Sequence, residues 1–173
     1  MDAPSHPVSA RPEGTGRFTT LIEVPGGAIH ADEPASVGGS DTGPTPYQLL
    51  SAALAACTSM TLRLYGARKP WPLPAFQVEV EHALIPGSPP RDRFTRRILF
   101  EGSVPDEVRA SLLEIAEKCP VHRTLSGGAE IVTSAEAPAP VPVPPLEPAD
   151  TPAAHVEQME QACTGCGDGA AMG

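Results

Sequence analysis

Thr45-Pro46-Tyr47-Gln48, running into Leu49-Leu50-Ser51-Ala52-Ala53-Leu54-Ala55-Ala56-Cys57-Thr58-Ser59-Met60, decides the fold. Thr45 is placed to cap the free N–H groups of a first helical turn. Pro46 then falls at the first helical position, where a missing donor costs nothing. Gln48, three residues after Thr45, completes a capping-box pattern. The alanines are strong helix formers and let neighbouring elements approach closely. Because the run is apolar on nearly every face, the pattern predicts a helix buried all round, from Pro46 to about Ala67. Lys69-Pro70-Trp71-Pro72 ends it. Cys57 sits in the middle of that helix.

The 173 residues suit one domain with an appendage, and 40% hydrophobic residues suffice for a core. A net charge of −9 argues against a nucleic-acid partner, which needs clustered Lys and Arg. No apolar run approaches bilayer length, so no membrane partner is expected. Met1 to Ala10 lacks the apolar core of a secretory signal, which points to a reducing cytoplasm. Four cysteines in such a compartment suit redox chemistry, metal binding or simple burial better than a disulfide framework.

Residues 1–16, rich in Pro, Ser and Gly, read as a flexible start. Arg17–Val24 alternates, with Phe18, Thr20, Ile22 and Val24 on one side. A Pro25-Gly26-Gly27 turn then leads to a return strand at Ala28–Ala31. Asp32–Thr45 is a loop. After the helix, Phe76–Leu84 alternates cleanly, with Phe76, Val78, Val80, His82 and Leu84 sharing one face. Arg93–Phe100 forms a second strand, with Phe94, Ile98 and Phe100 inward and a basic outer face to pair with Glu79 and Glu81. Ser103–Lys118 reads as an amphipathic helix, with Pro105 in its first turn and Asp106 and Glu107 at its positive end. Val108, Leu112, Ile115, Ala116 and Cys119 line its apolar face. Pro120 forces Cys119 out of helical geometry at a sharp exit. A Gly127-Gly128 turn and a short strand at Ala129–Thr133 follow. The domain spans 17–134. From 135 to 173 the chain is a Pro/Ala-rich tail without a core, with seven prolines between Pro138 and Pro152 and a C-x-x-C near its end.

Cys57 and Cys119 are the two core cysteines. Residue type and spacing leave two readings open: small buried hydrophobes, or a redox pair. A redox pair works by one thiolate becoming a sulfenic acid that the second thiol converts to a disulfide. The attacking thiol needs a lowered pKa. A mid-helix Cys57 cannot take that from its own helix N-terminus, so a cation must supply it.

The run Asp32-Glu33-Pro34, Gly38-Gly39, Asp41-Thr42-Gly43-Pro44-Thr45-Pro46-Tyr47-Gln48-Leu49-Leu50, Ala52-Ala53-Leu54 and Ala56-Cys57-Thr58 resembles the OsmC/Ohr family of osmotically inducible and organic-hydroperoxide-resistance proteins. Met60-Thr61-Leu62-Arg63-Leu64-Tyr65 with Arg68-Lys69, and Lys118-Cys119-Pro120-Val121-His122-Arg123-Thr124-Leu125, are similar to the OsmC-like branch. The likeness covers Phe18 to Thr133. It implies an α+β fold: antiparallel sheets, two central cysteine-bearing helices and an intertwined homodimer with its sites at the interface. It also implies a thiol-dependent peroxidase acting on organic hydroperoxides, regenerated by a dithiol or lipoyl-type reductant and needing no cofactor. Cys57 matches the attacking cysteine and Cys119 the resolving one. The family's thiolate-activating arginine comes from the N-terminal region, which suggests Arg17, with Arg63 and Arg123 as further candidates. The family's carboxylate position falls at Tyr47. The adjacent position, where the OsmC-like branch often has a carboxylate, is Gln48.

Two alternatives follow from the residues that depart from this pattern. Loss of the carboxylate at Tyr47 and Gln48 suits a non-catalytic relative that binds a hydrophobic small molecule at the dimer interface. The tail pair Cys163 and Cys166 suits a tethered redox dithiol, or a metal half-site completed by His155, His122 or a partner chain. His82 reads as a neutral strand histidine held by one hydrogen bond. His122, three residues after Cys119, has metal-ligand spacing, which the family pattern explains without a metal.

Overall fold

The computed structural model describes residues 7–87, 89 and 91–135. Of these, the residues up to Glu130 form the first of two units. The first unit is the α+β arrangement with antiparallel sheets expected from the sequence. Its elements run β1 (Ser9–Pro12), β2 (Thr20–Val24), β3 (Gly27–Ala31), α1 (Pro46–Gly66), β4 (Phe76–Ile85), β5 (Arg91–Phe100), α2 (Asp106–Glu117) and α3 (Pro120–Gly127), with a 3-10 turn at Ala35–Val37. β1, β2 and β3 form one antiparallel sheet and β4 and β5 a second.

The β2–β3 hairpin closes at Val24↔Gly27, leaving Pro25 and Gly26 as its two-residue loop. Gly26 has φ +93°, which only glycine adopts cheaply, and proline before it fixes the turn. Ser9–Pro12, read from sequence as a loose start, instead pairs with β2 as an exposed edge strand. Its four exposed residues carry no apolar alternation to announce it, and Pro12 is tolerated at its end. Phe18, Thr20 and Ile22 line a cavity with Pro46 and Leu49 at the start of α1.

Asp32 organises the connection into α1. It is 1% exposed, yet its Oδ2 accepts from the Thr42 hydroxyl (2.7 Å), the Thr19 hydroxyl (3.2 Å) and the Ser40 N–H (3.1 Å). Gly43 packs its backbone onto the His30 carbonyl, where a Cβ would collide.

The capping box of α1 forms as read. Gln48 N–H donates to Thr45 Oγ1 (3.2 Å), and Gln48 Oε1 accepts from the Thr45 N–H (2.8 Å). Burial departs from the expectation of a helix covered all round. Only the stripe Ser51, Leu54, Thr58, Leu62 and Gly66 is buried, while Leu50, Met60 and Leu64 are exposed. These spacings of three and four are an ordinary one-sided stripe; the alanines between them blurred the pattern.

Leu62, Leu112 and Ala116 form the fully buried centre, ringed by Tyr65, Trp71, Leu73, Phe76, Ile98 and Phe100. The β4–β5 ladder runs from Phe76↔Phe100 to Ile85↔Arg91, longer at its far end than Arg93–Phe100. On its outer face Arg97 bridges Glu79 (3.3 Å) and Glu81 (2.9 Å), the acid–base pairing read from the two strands. α2 ends at Glu117, so Cys119 lies between helices. Val121–Leu125, to which the sequence assigned no element, and Gly127, expected in a turn, belong to α3. Proline at the first position of a helix and glycine just past its end are start and stop signals, and Pro120 and Gly128 supply them. The strand expected at Ala129–Thr133 is absent; the segment joins neither sheet, and alternation without a ladder partner makes no strand. Among the described residues no helix is long and apolar enough to cross a membrane.

Two stability predictions follow. Leu62→Ala should lower unfolding free energy by about 2–5 kcal/mol, because the surrounding ring cannot collapse fully onto the lost volume; urea unfolding at fixed protein concentration measures it. Bonds from Thr42, opposed by burial and joined by the Glu33, Thr42 and Ser40 N–H groups, hold the Asp32 carboxyl below its usual range. That stability is complete above the unfolded carboxylate value of about 4 and disappears as pH falls through the lower folded value. The melting temperature of the native chain should therefore drop more steeply in acid than that of Asp32→Asn, which should be several degrees less stable at neutral pH.

Candidate active site

Two helices and a helix start converge on one pair of sulfurs. α1 carries Cys57, half-buried, and the connection between α2 and α3 carries Cys119, fully buried. Both are free thiols. Their side chains lie within hydrogen-bonding reach of each other. Cys119 has extended backbone geometry (φ −55°, ψ 128°), as the following proline requires, and stands as the N-cap of α3.

That position changes the electrostatics of the pair. The Val121 and His122 N–H groups at the start of α3 approach the Cys119 sulfur, and the Val121 N–H also faces Cys57. The approach is looser than a regular capping bond. A helix start thus reaches Cys57 after all, contributed by α3 rather than by α1. The two thiols are driven apart. Burial pushes the Cys57 thiol up, and the Cys119 sulfur adds to the rise against the opposing Val121 N–H and Thr61 hydroxyl. Burial also acts to raise Cys119. The Cys57 thiol, the His122 N–H, the Thr58 hydroxyl and the Val121 N–H together outweigh it and hold Cys119 below the ordinary thiol range.

Thr58 and Thr61 flank the sulfurs on α1. Each hydroxyl returns to a carbonyl one turn back, Thr58 to Leu54 (2.7 Å) and Thr61 to Cys57 (2.8 Å). Arg96 of β5 closes the site from the sheet. Its side chain is 10% exposed, and it donates from Nη1 to Thr58 Oγ1 (3.1 Å) and to the Ala116 carbonyl (3.0 Å). Its Nη2 meets Glu117 Oε1 (2.8 Å). Glu117 Oε2 in turn lies 3.1 Å from His122 Nε2. One guanidinium therefore ties β5 to α1 and to the end of α2.

Arg96 was missed in the sequence. Its signal was parity: it falls between Phe94 and Ile98 on the inward face, opposite Val80. A charged residue there is expensive to bury unless it is paired, and is therefore informative.

The other candidates lie as follows. Arg17 stacks its guanidinium over Phe18, 5.0 Å from the ring centroid. Arg63 lines a cleft with Trp71 and Leu73 near the end of α1. Arg123 is exposed on α3. Gln48 is engaged in the α1 cap. Tyr47 stacks on His82 with ring centroids 4.0 Å apart and planes within 9°. His82 Nε2 lies 2.8 Å from Asp92 Oδ1, and Phe94 covers its ring at 4.9 Å. Cys163, Cys166 and His155 lie outside the described residues. Among the described residues no three His, Cys, Asp or Glu side chains form a group that could hold a metal.

Several solved structures share this architecture. An organic hydroperoxide resistance protein OsmC from Legionella pneumophila matches at TM-score 0.56 and 20% identity, over 73% of this chain and 93% of that one. An OsmC-like protein from Mycoplasma pneumoniae matches at TM-score 0.57 and 21% identity, over 73% and 90%. The organic hydroperoxide resistance protein OhrB of Bacillus subtilis matches at TM-score 0.55 and 19% identity, over 70% and 92%. At these identities the likeness is one of fold. No curated protein sequence matches. The family model for OsmC-like proteins matches residues 38–134, more than half of the chain and both core cysteines. The chain therefore belongs to the OsmC-like protein family.

Proposed function

We propose that this protein is a thiol-dependent peroxidase that reduces organic hydroperoxides, with Cys57 attacking and Cys119 resolving. The observation that carries the reading is the facing pair of free thiols, held by α1 and the start of α3. Cys57 is the sulfur with solvent access, and Cys119 is fully buried behind it. The hydroperoxide-resistance names of the Legionella and Bacillus relatives support the substrate class.

The chemistry balances on this pair alone. The Cys57 thiolate attacks the outer peroxide oxygen; the S–O bond forms and the O–O bond breaks. The released alkoxide takes a proton and leaves as the alcohol, and Cys57 is left as a sulfenic acid. The Cys119 sulfur then attacks the Cys57 sulfur, the S–O bond breaks, and hydroxide leaves as water after protonation. The two electrons given to the peroxide come from the two sulfurs, which are left joined as a disulfide. An external dithiol, of lipoyl or similar type, restores both thiols by exchange. Free thiols of this kind suit a reducing, cytoplasmic compartment. The exposed Leu50, Met60 and Leu64 on α1 suit a homodimer in which a second chain covers that face.

Turnover of cumene hydroperoxide with dithiothreitol as reductant tests the reading. Cys57→Ser should remove activity to background. Cys119→Ser should lose the disulfide-dependent cycle and accumulate oxidised Cys57. Native protein that consumes no peroxide while both thiols stay reduced would contradict the reading and favour a binding protein.

A further inference from the structure

Glu117 uses both carboxylate oxygens, one on each side. Oε1 accepts from Arg96 Nη2 (2.8 Å), and Oε2 lies 3.1 Å from His122 Nε2. Arg96 is nearly buried and already fixed by Thr58 (3.1 Å) and the Ala116 carbonyl (3.0 Å). That end of the bridge is therefore ordered before Glu117 joins it, which removes much of the entropy cost that makes surface ion pairs weak. The other end is α3, which packs on α1 and has no fully buried residue of its own. Two of its side-chain contacts stay inside the helix: Thr124 Oγ1 donates to the Pro120 carbonyl (3.2 Å), and Ser126 Oγ lies 3.4 Å from His122 Nε2. Among the described residues, the contact with Glu117 is the one polar link that an α3 side chain makes to another element. Only Lys118 and Cys119 separate the end of α2 from the start of α3. The fully buried Cys119 thus sits in a two-residue corner, and Glu117 ties the outer arm of that corner down.

We propose that Glu117 is a positioning residue: by bridging Arg96 and His122 it holds α3 closed over Cys119, and so sets the speed of the disulfide-forming step while leaving the peroxide-attacking step alone. This rests on the peroxidase reading for the reaction step, although the closure of α3 stands without it. The Cys57 sulfenic acid has two fates. Attack by the Cys119 sulfur expels its oxygen as water and leaves the disulfide. A second hydroperoxide instead gives its outer oxygen to the Cys57 sulfur, leaving a sulfinic acid and a second molecule of alcohol. The first attack uses Cys57 alone, carried by α1. Disulfide formation also needs Cys119 at its corner. A looser α3 therefore slows only the second step and diverts Cys57 towards the sulfinic acid.

Iodoacetamide labelling of the folded, reduced full chain, read at the Cys119 peptide, tests the closure without any peroxide. Glu117→Ala and His122→Ala should each label Cys119 about threefold faster, the size that one largely exposed ion pair supports. The double variant should match the larger single effect, because both substitutions remove the same contact. In excess cumene hydroperoxide with dithiothreitol, both variants should consume the first equivalent at the native rate. They should also accumulate Cys57 sulfinic acid about threefold faster, in proportion to the slower disulfide formation. Glu117 is largely exposed, so its variant keeps the fold, and circular dichroism confirms this for each chain. Cys119 labelling at the native rate in both single variants overturns the proposal, as do effects that add in the double variant. So does a first step slowed as much as disulfide formation. If the native chain consumes no hydroperoxide, the peroxidase reading fails, and the labelling still decides whether Glu117 holds α3 closed.

Discussion

A guanidinium on the apolar face of a strand is the constraint around which the site is built. Burying Arg96 without partners would cost several kcal/mol. Its three partners come from the two elements that flank the sulfurs: Thr58 from α1, and the Ala116 carbonyl and Glu117 from α2. The Ala116 carbonyl lies in the last turn of α2, where backbone carbonyls lack helical partners and a cation is favoured. Satisfying one charge therefore fixes the distance between α1 and the end of α2, and with it the approach of Cys57 to Cys119. The apolar centre at Leu62, Leu112 and Ala116 holds the same two helices together from one turn further along.

The site places two sulfurs of one chemical type in unlike surroundings. Cys57 lies along a helix wall, where burial raises its thiol, and Cys119 at a helix mouth, where nearby donors lower its own. Coupled thiols of this kind share their proton loss, and the first charge settles where the donors are. The contrast between a half-buried Cys57 and a fully buried Cys119 follows from backbone geometry, above all from Pro120, which places Cys119 at the N-cap of α3.

Local signals were the legible part of this fold. Thr45, Pro46 and Gln48 announced the start of α1, and the alternations from Phe76 and into Phe100 announced the β4–β5 ladder and its outer Arg97 pairing. The signals that failed were those for which one residue type has two uses. Pro120 stops one helix and starts the next, so α3 was lost. Arg96 has the inward parity of Phe94 and Ile98, but arginine is read as a surface residue. β1, Ser9-Ala10-Arg11-Pro12, has only exposed positions and shows no apolar alternation. The meeting of Cys57 with Cys119 came from family resemblance; nothing in a spacing of 62 residues brings two thiols together.

The most direct measurement is peptide mapping of the reduced protein after one equivalent of cumene hydroperoxide, with free thiols blocked at quench. The account predicts a single dominant product, a disulfide joining the peptides of Cys57 and Cys119. Recovery of both peptides with blocked, unoxidised thiols would contradict it, as would disulfides that join either cysteine to a different partner.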